Sequence, residues 1–229
     1  MRPRCYLAAS RSLLGTACGA GTVGRVGGLF VTFEGIDRSG KTTQARMLCD
    51  ALGGDALGVR EPGGTAVGER VREILKDPTL AIGPHTEALL FAAARAELCR
   101  EVIRPALAEG RVVVCDRFVD SSLAYQGEGR GLGVEEVLDV NRWATEGLMP
   151  DLTIYLAIDP AAAAARAGDG DRIEGEGSSL QERVARAYER LADAEPERWR
   201  RIDANRPADE IHAEVMAAVE AARAAVTAG

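Results

Sequence analysis

Leu29-Phe30-Val31-Thr32-Phe33 is an unbroken apolar and β-branched run, the pattern of a strand covered on both faces, and it gives way at Gly35 to a turn. Similar short runs over Leu57 to Arg60, Arg111 to Cys115, Leu152 to Ile158 and Arg200 to Asp203 predict further strands. Helical stretches separate them. Lys41 to about Leu52 consists of residues that suit a helix, and Gly53-Gly54 stops it. "TEALLFAAARAELCR" reads as another helix, helical patterning returns near Leu180, and the alanine-rich stretch from Ala208 predicts a surface helix. This alternation, with no internal repeat, predicts an α/β fold: three layers, with a parallel sheet and helices on both faces. Between Ala161 and Gly177, "AAAAARAGDGDRIEGEG" passes from helix formers to glycine and alternating charge. It predicts a small lid over about residues 166–177, with a surface loop between two helices as the plainer alternative.

Composition narrows the function classes more than the fold. A chain of 229 residues is long enough for one sizeable core, and nothing divides it in two, so one domain is expected over residues 29–229. The formal net charge of -7 argues against binding a nucleic acid polymer, which takes a basic face to displace counterions. Any nucleotide is then bound locally. The five cysteines, Cys5, Cys18, Cys49, Cys99 and Cys115, are widely spaced without a C-x-x-C pair, the pattern of reduced thiols in a cytoplasmic protein. No apolar run reaches the ~20 residues that cross a bilayer, so no membrane partner is expected. Residues 1–28 contain Arg2, Arg4, Arg11 and Arg25 but no acid before Glu34. They are expected to form a disordered N-terminal extension, with a transit peptide or an early start site as alternatives.

The turn after the first strand carries the strongest chemistry. Gly35 followed by Gly40-Lys41-Thr42 fits the phosphate-loop spacing G-x-x-x-x-G-K-[ST], in the required order of strand, loop and helix. In such a loop the main chain of Gly35, Ile36, Asp37, Arg38, Ser39, Gly40, Lys41, Thr42 and Thr43 cradles the phosphates of a nucleotide such as ATP. Lys41 supplies charge at the β and γ positions and Thr42 places its hydroxyl on Mg²⁺. Asp116, at the end of "RVVVCD", stands where a Walker B acid would complete the metal site, although an acid there is also a common helix cap. Glu34 and Asp37 flank the loop, and either is a candidate to order the metal through water or to accept a hydrogen bond from a second substrate. Arg38, inside the loop, is placed to act as an arginine finger, its plainer alternative being a solvated charge.

Arg60 and Arg117 both follow strands, and two guanidinium forks converging on one phosphate would hold it bidentately. The chain is thus equipped for two phosphate groups, which separates a kinase from a nucleotide switch. No Asn-Lys-X-Asp guanine signature or His-Arg-Asp catalytic loop is present. Both histidines, His85 and His212, lie outside the motifs, His85 reading as a surface or helix-start residue. A monophosphate acceptor removes the need for a base, because its second pKa near ~6 leaves the attacking oxygen anionic at neutral pH.

Taken together, "FEGIDRSGKTTQ", "REPGGT", "LLFAAARAE", "CDRFVDSSLAYQG" and "DRIEGEG" give the chain a resemblance to the thymidylate kinase family over roughly residues 29–226. The resemblance implies a P-loop nucleoside-monophosphate kinase fold with a small lid, ATP and dTMP as substrates, Mg²⁺, and a homodimer. Carried over residue by residue, it implies that Asp37 receives the sugar 3′-hydroxyl and that Arg60 and Arg117 hold the acceptor phosphate. Phe91 would stack on thymine, Arg95 would bond a base carbonyl, Tyr125 would sit against the 2′ position and Gln126 would reach the base. Phe91 as core and Tyr125 as the cap of a hydrophobic seam are the plainer alternatives. Members of the family are similar in placing a catalytic arginine in the loop or in the lid. Here Arg38 is favoured over Arg166 and Arg172, because a loop anchored between strand and helix positions charge better; the lid arginines are expected to pair with Asp169 or Asp171. Catalysis is expected from Arg38, Lys41 and Arg117. Two alternatives remain: another nucleoside or nucleoside-monophosphate kinase, and a non-catalytic P-loop nucleotide-binding protein.

Overall fold

The computed structural model describes residues 27–166 and 178–228. Five strands, β1 (Leu29–Glu34), β2 (Ala56–Arg60), β3 (Val112–Asp116), β4 (Leu152–Ala157) and β5 (Trp199–Asp203), form one parallel sheet in the order β2-β3-β1-β4-β5. The helices are α1 (Lys41–Leu52), α2 (Ala66–Lys76), α3 (Pro84–Leu98), α4 (Arg104–Ala108), α5 (Val119–Ser122), α6 (Val134–Ala144), α7 (Pro160–Ala164), α8 (Ser178–Ala194) and α9 (Ala208–Ala228). Two stretches widen into π-helical turns: Cys99–Ile103 joins α3 to α4, and Leu123–Gly129 continues α5.

The strands read as continuous apolar runs because both faces of the sheet are covered. Side chains alternate across a strand. Leu29, Val31 and Phe33 of β1, with Val112 and Val114 of β3, therefore join one core with Leu48 of α1 and Val215 and Val219 of α9. Phe30, Val113, Cys115, Leu57 and Val59 enter another core, with Leu98, Ile103 and Phe118. The Phe30 and Phe118 rings meet edge to face at 4.8 Å, which ties the turn after β3 to the sheet.

Helix starts follow their local chemistry. Thr65 caps α2 by accepting from the Gly68 amide at 3.0 Å, and α7 opens on Asp159 with Pro160 in its first turn. His85 lies exposed in the first turn of α3. The surface helix expected from Ala208 is present as α9, with most of its positions exposed. Its one buried stripe, Ile211, Val215, Ala218 and Val219, packs on α1, β1, β4 and β5. Residues 167–177, nearly all of the expected lid, lie outside the described residues, as do residues 1–26 of the expected extension. Among the described residues no helix is long and apolar enough to cross a membrane.

β1 is the sheet's central strand, with β3 and β2 on one side and β4 and β5 on the other. In open parallel sheets ligands bind beyond the carboxyl ends of the strands, where the chain order reverses. β1 and β3 end side by side, Phe33 beside Asp116.

Candidate active site

The chain leaves β1 at Gly35, where φ is 140° and a Cβ would lie 2.7 Å from the Leu156 carbonyl oxygen and 2.9 Å from Ser39 Oγ. Only glycine fits there. Arg38 and Gly40, at φ 64° and 98°, then reverse the chain so that α1 begins at Lys41. Lys41 folds back over the turn, donating to the Ile36 carbonyl at 2.7 Å and to Ser39 Oγ at 3.3 Å. Burial pushes its ammonium down to about 8, with the neighbouring Arg117 charge acting in the same direction. Thr42 Oγ1 donates to Asp116 Oδ2 at 2.5 Å, so loop hydroxyl and strand-end acid meet.

Asp37, Arg38, Lys41, Thr42 and Asp116 line a cavity of about 320 Å³ together with Arg60, Phe91, Arg95, Arg117, Tyr125 and Gln126. These expected contributors are thus gathered in one place. Ile36 and Ser39 are buried beneath the loop, Thr43 is exposed beside it, and none of the three lines the cavity. Glu34 does not line the cavity. It is fully buried and accepts from the Phe118 amide at 2.8 Å, Ser121 Oγ at 2.6 Å and the Tyr188 hydroxyl at 2.9 Å. Burial and the charge of Asp120 push its carboxyl up to about 7. It braces the turn after β3 and stands apart from the cavity, which leaves it neither the metal nor the substrate contact expected from sequence.

That turn presents Arg117 in a left-handed conformation, φ 72°, sparsely used by residues with a side chain. Its guanidinium pairs with Asp37 and donates to the Gly35 carbonyl and Ser121 Oγ, both at 3.2 Å, while lying 5.1 Å from the Tyr125 ring centre. Asp37 also accepts from the Tyr125 hydroxyl at 3.1 Å and from Gln181 Nε2 at 2.7 Å. Burial alone would raise the Asp37 carboxyl, but Arg117 and Lys41, with these hydrogen bonds, hold it below the usual range. Sequence inspection missed Gln181 and Tyr188. They stand seven residues apart on α8, two helical turns, on the side that carries Leu180 and Val184 into the core; that spacing was the available signal. It also missed Arg72 on α2, which lines the cavity and donates to the Pro62 carbonyl at 3.0 Å. Arg60 is half-exposed and rests on Glu69, with both carboxylate oxygens at 3.2 Å.

At the far end, Phe91 packs against Val71, Leu75 and Ala94 while still lining the cavity, so it belongs to both core and site. Arg95 is 1 % exposed and is no solvated charge. Nε and Nη2 grip Glu61, Nη1 serves Ser122 Oγ and Asn141 Oδ1, and Nη2 also reaches the Phe118 carbonyl. A guanidinium has five N–H donors, and all are engaged. A base carbonyl at Arg95 must therefore share or displace an acceptor, a condition the sequence did not reveal.

Arg38 and Arg166 are laced together. Arg38 Nη1 donates to the Arg166 carbonyl at 3.4 Å, while Arg166 Nη1 donates to the Arg38 carbonyl at 3.0 Å and its Nη2 to the Ala204 carbonyl at 2.6 Å. Asp169, Asp171 and Arg172 lie outside the described residues.

A family model described as thymidylate kinase matches residues 33–215. The chain is 50% identical over 198 residues to a thymidylate kinase of Deinococcus radiodurans, covering 84% of this chain and 96% of that protein. It is 49% identical to one of Caldanaerobacter subterraneus, covering 84% and 95%. A crystal structure of the Ehrlichia chaffeensis thymidylate kinase superposes with a TM-score of 0.70 at 31% identity, over 84% of this chain and 99% of that one.

Proposed function

The chain belongs to the thymidylate kinase family, and from that premise we propose that its cleft transfers the γ-phosphoryl group of ATP to dTMP, giving dTDP and ADP. The observation that carries the assignment is that Lys41 and Thr42, equipped for a nucleotide triphosphate, share one cavity with the Asp37–Arg117 pair and with Phe91 and Gln126. An acceptor-phosphate oxygen attacks the γ-phosphorus, the bond to the bridging oxygen breaks, and ADP departs with the electron pair. The attacking oxygen is already anionic, so no base is required. The chain's task is positioning and charge neutralisation.

In this scheme the loop amides from Gly35 to Thr43 and the Lys41 ammonium hold the donor phosphates. Arg117 and Arg60 hold the acceptor phosphate, and Asp37, braced by Tyr125 and Gln181, receives the 3′-hydroxyl. Tyr125 occupies the space a 2′-hydroxyl would need. Phe91 stacks on the base, which Arg95 and Gln126 read.

The touching oxygens of Thr42 and Asp116 are the hard donors Mg²⁺ prefers, and Mg²⁺ takes few protein ligands because phosphates and water complete its shell. These two residues would hold it, and when bound it neutralises charge on the β and γ phosphates. Exposed Val67 and Ile74 on α2, Leu89 on α3 and Trp143 on α6, 86% exposed, support a homodimer built on these neighbouring helices. A cytoplasmic setting suits reduced, buried Cys49, Cys99 and Cys115. Residues 29–229 would act as one kinase domain.

An ADP-release assay with dTMP, dUMP, dCMP, dGMP and UMP tests the assignment. Fastest turnover with dTMP is expected. Preference for another acceptor would make the protein a neighbouring nucleoside-monophosphate kinase, and no ADP with any of them a binding protein.

The arginine pair gives a separate prediction. Arg38→Ala is expected to lower the maximal rate more than it weakens either substrate, because a finger's contact strengthens only as charge shifts in the transition state. Arg166→Ala removes a brace between Arg38 and Ala204 and should cost less. Turnover at saturating ATP and dTMP decides between them; a larger loss from Arg166 would move the catalytic role out of the loop.

A further inference from the structure

Gln126 sits in the π-helical stretch after α5, 2% exposed, with its side chain at the cavity wall. Its Nε2 donates to Glu87 Oε1 at 2.9 Å. Glu87 is 1% exposed and receives a two-pronged grip from Arg130, Nε to Oε1 and Nη2 to Oε2, both at 3.0 Å. A carboxylate held in this way only accepts. The amide nitrogen of Gln126 must therefore face Glu87, which turns its oxygen the other way; no described residue donates to that oxygen. Glu87 also lies four residues before Phe91 and eight before Arg95, so one face of α3 carries all three.

From this we infer that Glu87 is a positioning residue for acceptor choice: by fixing which end of the Gln126 amide faces the cavity, it presents a hydrogen-bond acceptor to the base. Thymine and uracil bring an N3–H to meet it. Cytosine brings a bare N3 lone pair, so two acceptors would confront each other in a desolvated site, with no flip available to Gln126. The inference rests on the proposed placement of Gln126 against the base. A residue that only supported the fold would affect both acceptors alike.

Glu87→Gln gives Gln126 a neighbour that both donates and accepts, and so frees the amide to turn over. The test compares kcat/KM with dTMP and with dCMP for the wild type, Glu87→Gln, Gln126→Leu and the double variant. The dTMP:dCMP ratio is expected to fall by roughly tenfold to a hundredfold in each single variant, the scale of one unmatched hydrogen bond, and no further in the double. An unchanged ratio in Gln126→Leu removes Gln126 from the base and the inference with it. A ratio that falls in Gln126→Leu but holds in Glu87→Gln overturns the role of Glu87 alone. If Glu87→Gln fails to fold because Arg130 loses its carboxylate, Glu87→Gln combined with Arg130→Gln removes both charges of that pair and answers through the same ratio.

Discussion

Lys41→Met is expected to lower turnover at saturating ATP and dTMP by about 10²–10³-fold, the usual cost of removing one preorganised charge from a phosphoryl-transfer site. Folding should not suffer. The Lys41 ammonium is buried, and its pKa lies at about 8 against an ordinary 10.5. Between those values the unfolded chain holds a proton that the folded chain has released, so stability rises with pH across that window. Below it, the buried charge opposes folding by its full amount. Met removes the ionisation, so the variant should gain most relative to wild type at neutral pH, and the difference should shrink as pH rises from 8 toward 10.5. Loss of the hydrogen bond to the Ile36 carbonyl offsets part of this gain. Steady-state kinetics and thermal melts at two pH values measure both effects. Unchanged turnover in a folded variant would remove the loop from the chemistry.

Arg117→Ala is expected to lower kcat/KM for dTMP by roughly 10³-fold, because it deletes the proposed phosphate clamp and unseats Asp37. Unlike Lys41→Met, it should also destabilise, since removing one member of a buried ion pair typically costs ~3–5 kcal/mol. The pH dependence follows from Asp37. In the wild type its carboxyl lies below 3.8 because Arg117 and Lys41 outweigh burial, so its contribution to stability is present above that value and is lost as pH falls through the folded pKa. Without Arg117 the balance tips toward burial, the carboxyl rises, and ionised Asp37 works against folding at neutral pH. The stability gap to wild type should therefore narrow from pH 7.5 toward pH 5 in urea melts. A gap that stayed constant would mean that Asp37 is held down by other partners.

Strands and phosphate loop were legible because both are local. A covered strand announces itself in consecutive residues, and the loop's glycines, lysine and threonine fall within eight positions of one another. Phe91 and Arg95 were legible as a pair for the same reason, one helical turn apart on α3. What was not legible depends on sequence-distant partners. Glu61 reaches Arg95 across 34 residues and Gln181 reaches Asp37 across 144, and no local pattern encodes either contact. Glu34 shows the converse error: an acid beside a phosphate loop suggests metal chemistry, yet the strand register buries it against Phe118, Ser121 and Tyr188. α9 was legible as a helix, but alanine fits a buried helix face as well as an exposed one, so which stripe it buries was not.

The saturation of Arg95 has a thermodynamic consequence. Its guanidinium is already stripped of water and fixed in a single rotamer by Glu61, Asn141, Ser122 and the Phe118 carbonyl. A ligand that engages it need not order a long side chain, which spares association roughly 0.5–1.5 kcal/mol of lost rotamer freedom. Engagement would instead proceed by exchange of one acceptor for another, with small net enthalpy, so the calorimetric signature of the proposed base recognition at this end of the cavity should be set by apolar contact with Phe91 and a negative heat-capacity change.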